Sequence, residues 1–278
     1  MRIAVVMDPL ASVNYKKDST LAMLWAAAKR GHELFYLEAG DLSLREGRAY
    51  GRLSPLQVFE DPAKWFALGE PELRPLAEMD AILMRKDPPF DMNFIYATYL
   101  LERAESEGVL VVNKPQSLRD CNEKLFATAF ADCMVPTIVT SRSAELRAFI
   151  AEHHDVIVKP LDGMGGTGIF RLTAGGPNIG ATLEVLTDNG ARPIMAQRYI
   201  PEIKDGDKRA LLTDGEPAPN ARARVPPGDA VRGEGQPVLA HLHLGGGVHD
   251  APDALDDVVD VGEVAAAVAH VEDLDGLA

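Results

Sequence analysis

Cysteine, aromatic residues and positive charge are all scarce in this chain of 278 residues. Its two cysteines, Cys121 and Cys133, cannot make a disulfide framework, and no Cys/His spacing suits zinc; both read as small buried hydrophobes of a reducing compartment. Lysine and arginine number 28 against 42 acids, a net charge of −14, which disfavours a nucleic-acid partner because phosphate-backbone binding rests on clustered cations. A small anionic ligand stays open, since a local basic pocket can exist inside an acidic protein. No apolar run approaches the ~18 residues that would span a membrane, and the apolar part of "MRIAVVMDPL" is too short for a signal peptide. The expected location is cytoplasmic, with no membrane partner. Hydrophobic residues at 46% and charged residues at 25% are ordinary for a globular protein, and the length suffices for two domains.

The scarcity is uneven. From Pro226 onward there is no lysine and no aromatic residue, and Arg232 stands alone against eleven acids, so this stretch carries ten of the fourteen net negative charges.

Glycine, by contrast, is concentrated. In "VIVKPLDGMGGTGIF" a strand over Val156–Val158 delivers Lys159, and Gly163, Gly165, Gly166 and Gly168 follow within a few residues. Glycine loses more backbone freedom on folding than any other residue, so such a run is kept where the chain needs positive φ, close approach or mobility. A P-loop places its lysine after the glycines, whereas Lys159 precedes them. Gly163, Gly165 and Gly168 do match G-x-G-x-x-G, but the chain runs on through Ile169, Phe170 and Leu172 as a strand rather than into a helix. Strand, glycine loop and strand make a hairpin flap of the kind that covers nucleotide phosphates, although an ordinary glycine-rich turn fits the same fragment. Lys159 needs an anionic partner, because burying an unpaired ammonium costs several kcal/mol. On local grounds Lys124 is an ordinary solvated lysine at the start of a helix.

Along the chain, "RIAVVMD", a helix over "DSTLAMLWAAAKRG" capped by Asp18 or Ser19 and stopped by Gly31, and "HELFYLE" give a βαβ opening. "DAILMRKDPPFD" is a strand ending at Pro88 and Pro89, the next segment puts Phe94, Ala97, Leu101 and Ala104 on one helical face, and "VLVVNKP" returns as a strand. This alternation predicts an α/β domain over residues 1–121 with a parallel sheet covered on both faces. An α+β domain over 122–225 follows: a helix over Asn122–Asp132, "PTIVT", a helix in "SAELRAFIAEHH", the flap, a helix near Ile179–Thr187, "IMAQRYI", and a hairpin turning at Asp214-Gly215. "KDGDKR" and "ARARV" place Arg209 and Arg224 on neighbouring strands, where two guanidiniums facing one way would bind a carboxylate; a solvated hairpin is the alternative.

The strings "MDP", "KKDSTLAML", "ILMRKDPPFD", "FIYATYLLERAE", "VVNKPQSLRDCNEKLFA", "KPLDGMGG", "MAQ", "KDGDKR" and "DGEP" together resemble bacterial glutathione synthetase, an ATP-grasp ligase, from Met1 to about Gly228. The resemblance implies an N-terminal pre-ATP-grasp α/β domain followed by an ATP-grasp domain that binds ATP with Mg²⁺ or Mn²⁺. It implies the substrates γ-glutamylcysteine and glycine, an acyl-phosphate intermediate, and a homotetramer. By the same resemblance, Lys124 and Lys159 contact the ATP phosphates, and the loop Asp162, Gly163, Met164, Gly165 and Gly166 folds over them. Gln197, Arg198, Tyr199 and Ile200 carry adenine through the backbone, Asp207 holds the nucleotide or metal side, and Lys17, Arg209 and Arg224 orient γ-glutamylcysteine. Another ATP-grasp carboxylate-amine ligase and a non-catalytic nucleotide-binding remnant are the competing readings.

After "PPGDAVRG" the resemblance ends. The acidic stretch 226–278 is expected to be a frameshifted or replaced C-terminus that truncates the ATP-grasp domain, leaving weak ATP binding and slow turnover. A family-type C-terminus grafted after Gly228 is expected to restore ligation. His241, His243 and His249 are read as incidental, Asp256, Asp257 and Asp260 as solvated, and the metal ligands as unknown.

Overall fold

The computed structural model describes residues 1–163, 166–209, 212–213, 216–217, 220–225 and 236–241, with side chains described as far as residue 206. β1 (Arg2–Val6) leads to α1 (Ser19–Lys29), whose first turn is capped by the Asp18 carboxylate accepting from Leu21 N at 2.8 Å. Gly31, at φ 78°, turns the chain into β2 (Glu33–Leu37), which pairs parallel to β1. Four strands follow: β3 (Leu42–Arg45), β4 (Arg48–Val58), β5 (Phe66–Leu68) and β6 (Glu72–Pro75). β7 (Ala81–Met84), α2 (Met92–Ser106), β8 (Leu110–Val112) and α3 (Pro115–Asp120) complete the first unit. Asp91 caps α2 by accepting from Phe94 N at 2.9 Å, and Ala97, Leu101 and Ala104 are buried as the helical spacing predicts, with Phe94 packed partly against them.

The expected parallel sheet is corrected to a mixed one, in the order β3-β4-β2-β1-β7-β8. β1, β2, β7 and β8 are parallel, but β4 runs antiparallel to β2, β3, β5 and β6. The long β4 was missed because Gly51 and Pro55 interrupt "RAYGRLSPLQV", although burial of Ala49, Gly51 and Leu53 keeps the two-residue strand period. Coverage of both faces holds. Ala4 and Val6 pack with Ile82 and Leu101 on the α2 side, while Ile3 and Val5 pack with Leu21 and Leu24 on the α1 side.

The helix expected over Asn122–Asp132 is instead a 3-10 segment, Phe126–Cys133, broken at Phe130 (φ −115°, ψ 53°). Leu125, Phe126 and Phe130 are exposed on it, so no buried face holds it as an α-helix. Cys121 and Cys133 are exposed free thiols rather than buried hydrophobes.

β9 (Thr137–Thr140), α4 (Ser143–His153), β10 (Asp155–Pro160), β11 (Phe170–Thr173), α5 (Ile179–Thr187) and β12 (Ile194–Arg198) form an antiparallel sheet in the order β11-β10-β12-β9. Leu146, Phe149 and Ile150 of α4 and Leu183 of α5 bury one face against Val156, Val158, Leu172, Ile194 and Ala196. Alternation sends Ile157, Lys159, Met195 and Gln197 to the other face.

Beyond residue 206 the strands β13 (Asp207–Arg209), β14 (Leu212–Thr213), β15 (Glu216–Pro217), β16 (Asn220–Val225) and β17 (Gln236–His241) pair antiparallel, β13-β16-β17 in one sheet and β14-β15 in another. Thr213 pairs with Glu216, as the expected hairpin requires, while its turn at Asp214-Gly215 lies outside the described residues. So do Asp256, Asp257, Asp260, His243 and His249. Among the described residues no helix is long and apolar enough to cross a membrane.

Candidate active site

The flap is a hairpin, as its glycine spacing suggests: β10 and β11 pair from Asp155↔Thr173 to Val158↔Phe170. Its glycines answer to geometry. Gly166 and Gly168 both adopt φ 73°, and a Cβ on Gly168 would lie 3.2 Å from the Pro160 ring. Met164 and Gly165 lie outside the described residues.

Lys159 is next to last on β10 and half-buried on the face of the sheet opposite α4 and α5. Burial, and then the nearby Lys124 ammonium, push its pKa below the ordinary lysine value; Glu123 opposes this more weakly. Among the described residues no carboxylate lies within ion-pairing distance of it. Lys124 arrives from a different part of the chain and donates from Nζ to the carbonyl of Gly163 at the base of the flap.

Asn122 makes that approach stable. Its Oδ1 accepts from Lys124 N at 3.0 Å and Leu125 N at 2.9 Å, while Nδ2 donates to Leu161 O at 3.3 Å. This role was missed in the sequence, where the signal is an Asn whose side chain can cap the next turn. Among the described residues neither ammonium has an ion-pair partner, and two such charges beside a glycine loop are an arrangement that can take a polyanion.

Gln197 and Arg198 end β12, and Tyr199 and Ile200 continue past it. Gln197 Nε2 donates to Thr137 Oγ1 at 3.0 Å, and Tyr199 N donates to Asp155 O at 2.9 Å. Among the described residues the Ile200 N–H and the Tyr199 carbonyl have no hydrogen-bond partner; they belong to one trans peptide, which leaves a donor on one side and an acceptor on the other where the chain leaves the sheet. A cavity of about 610 Å³ is lined by Thr137 and Val139 of β9, the strand paired with β12, and by Leu125, Thr128, Ala131 and Met134.

Not every expected residue joins this group. Lys17 is exposed in the turn before α1, at the carboxyl end of β1, where the chain crosses from β2 on one side of β1 to β7 on the other. That switch point is where open α/β sheets bind ligands. It is already polar: Lys86 pairs with Asp8 at 2.7 Å, and Arg85 donates to Thr20 and Ser19. No hydrogen bond or ion pair among the described residues joins Lys17 to Lys124 or Lys159. Asp207 pairs with Arg224 and Arg209 with Arg222 across β13 and β16, so the backbone positions of Asp207, Arg209 and Arg224 share one phase of the strand alternation. Lys204, expected on a strand, is on the 3-10 turn Pro201–Asp205.

Residues 1–119 match the model for "Prokaryotic glutathione synthetase, N-terminal domain", and residues 123–248 match that for "Prokaryotic glutathione synthetase, ATP-grasp domain". Over 233 residues the chain is 61% identical to the glutathione synthetase of Pseudomonas putida, covering 84% of this chain and 74% of that one. The chain belongs to the prokaryotic glutathione synthetase family. The Escherichia coli glutathione synthetase is 56% identical over 234 residues, covering 84% of this chain and 74% of the relative. Among solved structures, the D-cycloserine synthetase DcsG superposes with a TM-score of 0.58 at 18% identity, over 98% of this chain and 82% of that one; this likeness shows the shared fold alone. The match to the ATP-grasp domain runs past the Gly228 limit read from the sequence and takes in β17. As a family member the chain is an ATP-dependent ligase built on an ATP-grasp domain.

Proposed function

We propose that this protein joins γ-glutamylcysteine to glycine at the expense of ATP, with residues 1–121 presenting substrate and 122–225 holding the nucleotide. The observation that carries the site is the convergence of Lys124 and Lys159 by the glycine loop with no ion-pair partner among the described residues. Phosphates supply the missing negative charge. The Ile200 N–H, unpaired among the described residues, is a donor suited to the N1 acceptor of adenine. β10 sets the distance: from Asp155, beside Tyr199, to Lys159 is four strand residues, roughly 13 Å, the scale of an extended nucleoside triphosphate from base to γ-phosphate.

In this reading the cysteinyl carboxylate of γ-glutamylcysteine attacks the γ-phosphorus, and ADP leaves from an acyl phosphate. Glycine's amine then attacks the activated carbonyl, loses a proton, and inorganic phosphate departs as the amide forms. Lys124 and Lys159 hold the phosphates in line and stabilise charge on the transferring oxygens. Arg209, Arg224 and Lys17 orient the substrate's carboxylates, and Asp207 stands on the nucleotide side. Among the described residues no group of three or more His, Cys, Asp or Glu is placed to hold a metal ion, so Mg²⁺ is assigned neither ligands nor a step.

The test is dependence on substrate. With ATP, Mg²⁺, γ-glutamylcysteine and glycine, the purified chain should form ADP, phosphate and glutathione in equal amounts, and omitting either amino substrate should stop glutathione formation. Product formed equally well from D-alanine in place of both would overturn the assignment. Arg224→Lys keeps the charge but loses the two-pronged guanidinium, so KM for γ-glutamylcysteine should rise several-fold while ATP affinity holds. An equal change in both would make Arg224 structural.

A further inference from the structure

Arg171 joins the flap to the segment past β12, and we propose that it is a positioning residue for purine recognition, setting the backbone at Tyr199 and Ile200 that reads the base. This rests on the adenine placement proposed above. Arg171 lies on β11, opposite Ile157 of β10, and Gln197 lies opposite the same Ile157 from β12. It therefore shares with Lys159 the face opposite α4 and α5.

From there its guanidinium makes three contacts on two other elements. Nε and Nη2 donate to the two carboxylate oxygens of Asp155 at 2.9 and 2.6 Å, and the guanidinium carbon stands 3.7 Å from the centre of the Tyr199 ring. Asp155 closes the circuit by accepting from Tyr199 N through its own carbonyl at 2.9 Å. The Arg171 and Asp155 side chains are 40% and 32% exposed, and an ion pair that open to solvent contributes little to stability. What the arrangement does provide is orientation. A planar fork locked on Asp155 fixes the plane on which Tyr199 stacks, and the peptide that follows Tyr199 carries the Ile200 N–H, unpaired among the described residues.

The consequence is base selectivity rather than phosphate affinity. N1 of adenine accepts a hydrogen bond where N1 of guanine donates one, so the Ile200 N–H favours adenine, and a segment free to rotate discriminates less. In Arg171→Met, which keeps the apolar stem, ATP affinity measured by calorimetry should fall about fivefold and the ATP-over-GTP preference should shrink by a similar factor. γ-Glutamylcysteine affinity and the melting temperature should stay at the parent values. Arg171→Lys, with charge but no fork, should recover part of the ATP affinity and little of the preference. An unchanged ATP-to-GTP ratio in Arg171→Met, or parallel loss of all ligands, overturns the proposal. Ile200→Pro, which deletes the N–H, separates the two layers. If it leaves ATP affinity intact, the adenine placement itself fails, and this proposal with it. If it weakens ATP while the Arg171 variants do not, only the role of Arg171 is lost.

Discussion

Lys159→Met is expected to weaken ATP binding by about 1.5–3 kcal/mol, the range for a hydrogen bond to a charged group, while raising the melting temperature of the nucleotide-free protein. Both effects have one cause. The Lys159 ammonium is half-buried with another ammonium, Lys124, nearby, so its charge is poorly compensated until phosphate arrives. Methionine keeps the length of the stem and removes the charge. The pH dependence has a definite sign: the folded pKa lies below the unfolded value of about 10.5, so the unfolded chain binds more protons between the two. Stability of the nucleotide-free protein therefore gains a component as pH rises through that window, and Lys159→Met should lack it. Bound phosphate should reverse the shift and flatten the difference. Calorimetry with ATP, and melting curves across pH, measure both; an unchanged ATP affinity would remove Lys159 from the site.

Gly168→Val is expected to lower ATP affinity roughly tenfold, with only a small change in melting temperature. At φ 73° a residue with a Cβ costs about 1–2 kcal/mol, and a β-branched one is a genuine outlier there. The added Cβ would also press on the Pro160 ring at 3.2 Å, directly after Lys159. The loop must relieve both by moving off its position, and a shift of 1.4 kcal/mol in the bound state corresponds to a factor of ten. Gly40→Ala is the control, because a Cβ there meets nothing within 4 Å and φ is not in the positive range. If Gly168→Val binds ATP like the parent, the position of the loop is not used in binding.

Local signals carried much of this protein. Asp18 and Asp91 cap their helices because a carboxylate one turn ahead of free N–H groups does so in any context. The flap was legible because glycines are kept only where the backbone demands them, and the face of α2 because its period is intrinsic to a helix. Where local signals conflicted with packing, they failed. The Asn122–Asp132 pattern is helical in composition, but among the described residues Leu125, Phe126 and Phe130 stay exposed, and the segment becomes a broken 3-10 turn. β4 looked irregular because Gly51 and Pro55 weaken strand propensity; its pairing with four other strands outweighs that.

By itself the sequence determined the alternating α/β opening, the strand–loop–strand flap and the family likeness, since each depends on residues close in the chain or on strings of them. Only the tertiary structure decided that Lys124 meets the flap at Gly163, that Lys159 sits on the face of its sheet opposite α4 and α5, and that Arg171 bridges Asp155 and Tyr199. Those facts arise from which strands pair and which face the helices choose to bury. Such choices are made by the summed burial of the whole sheet, and no single segment encodes them.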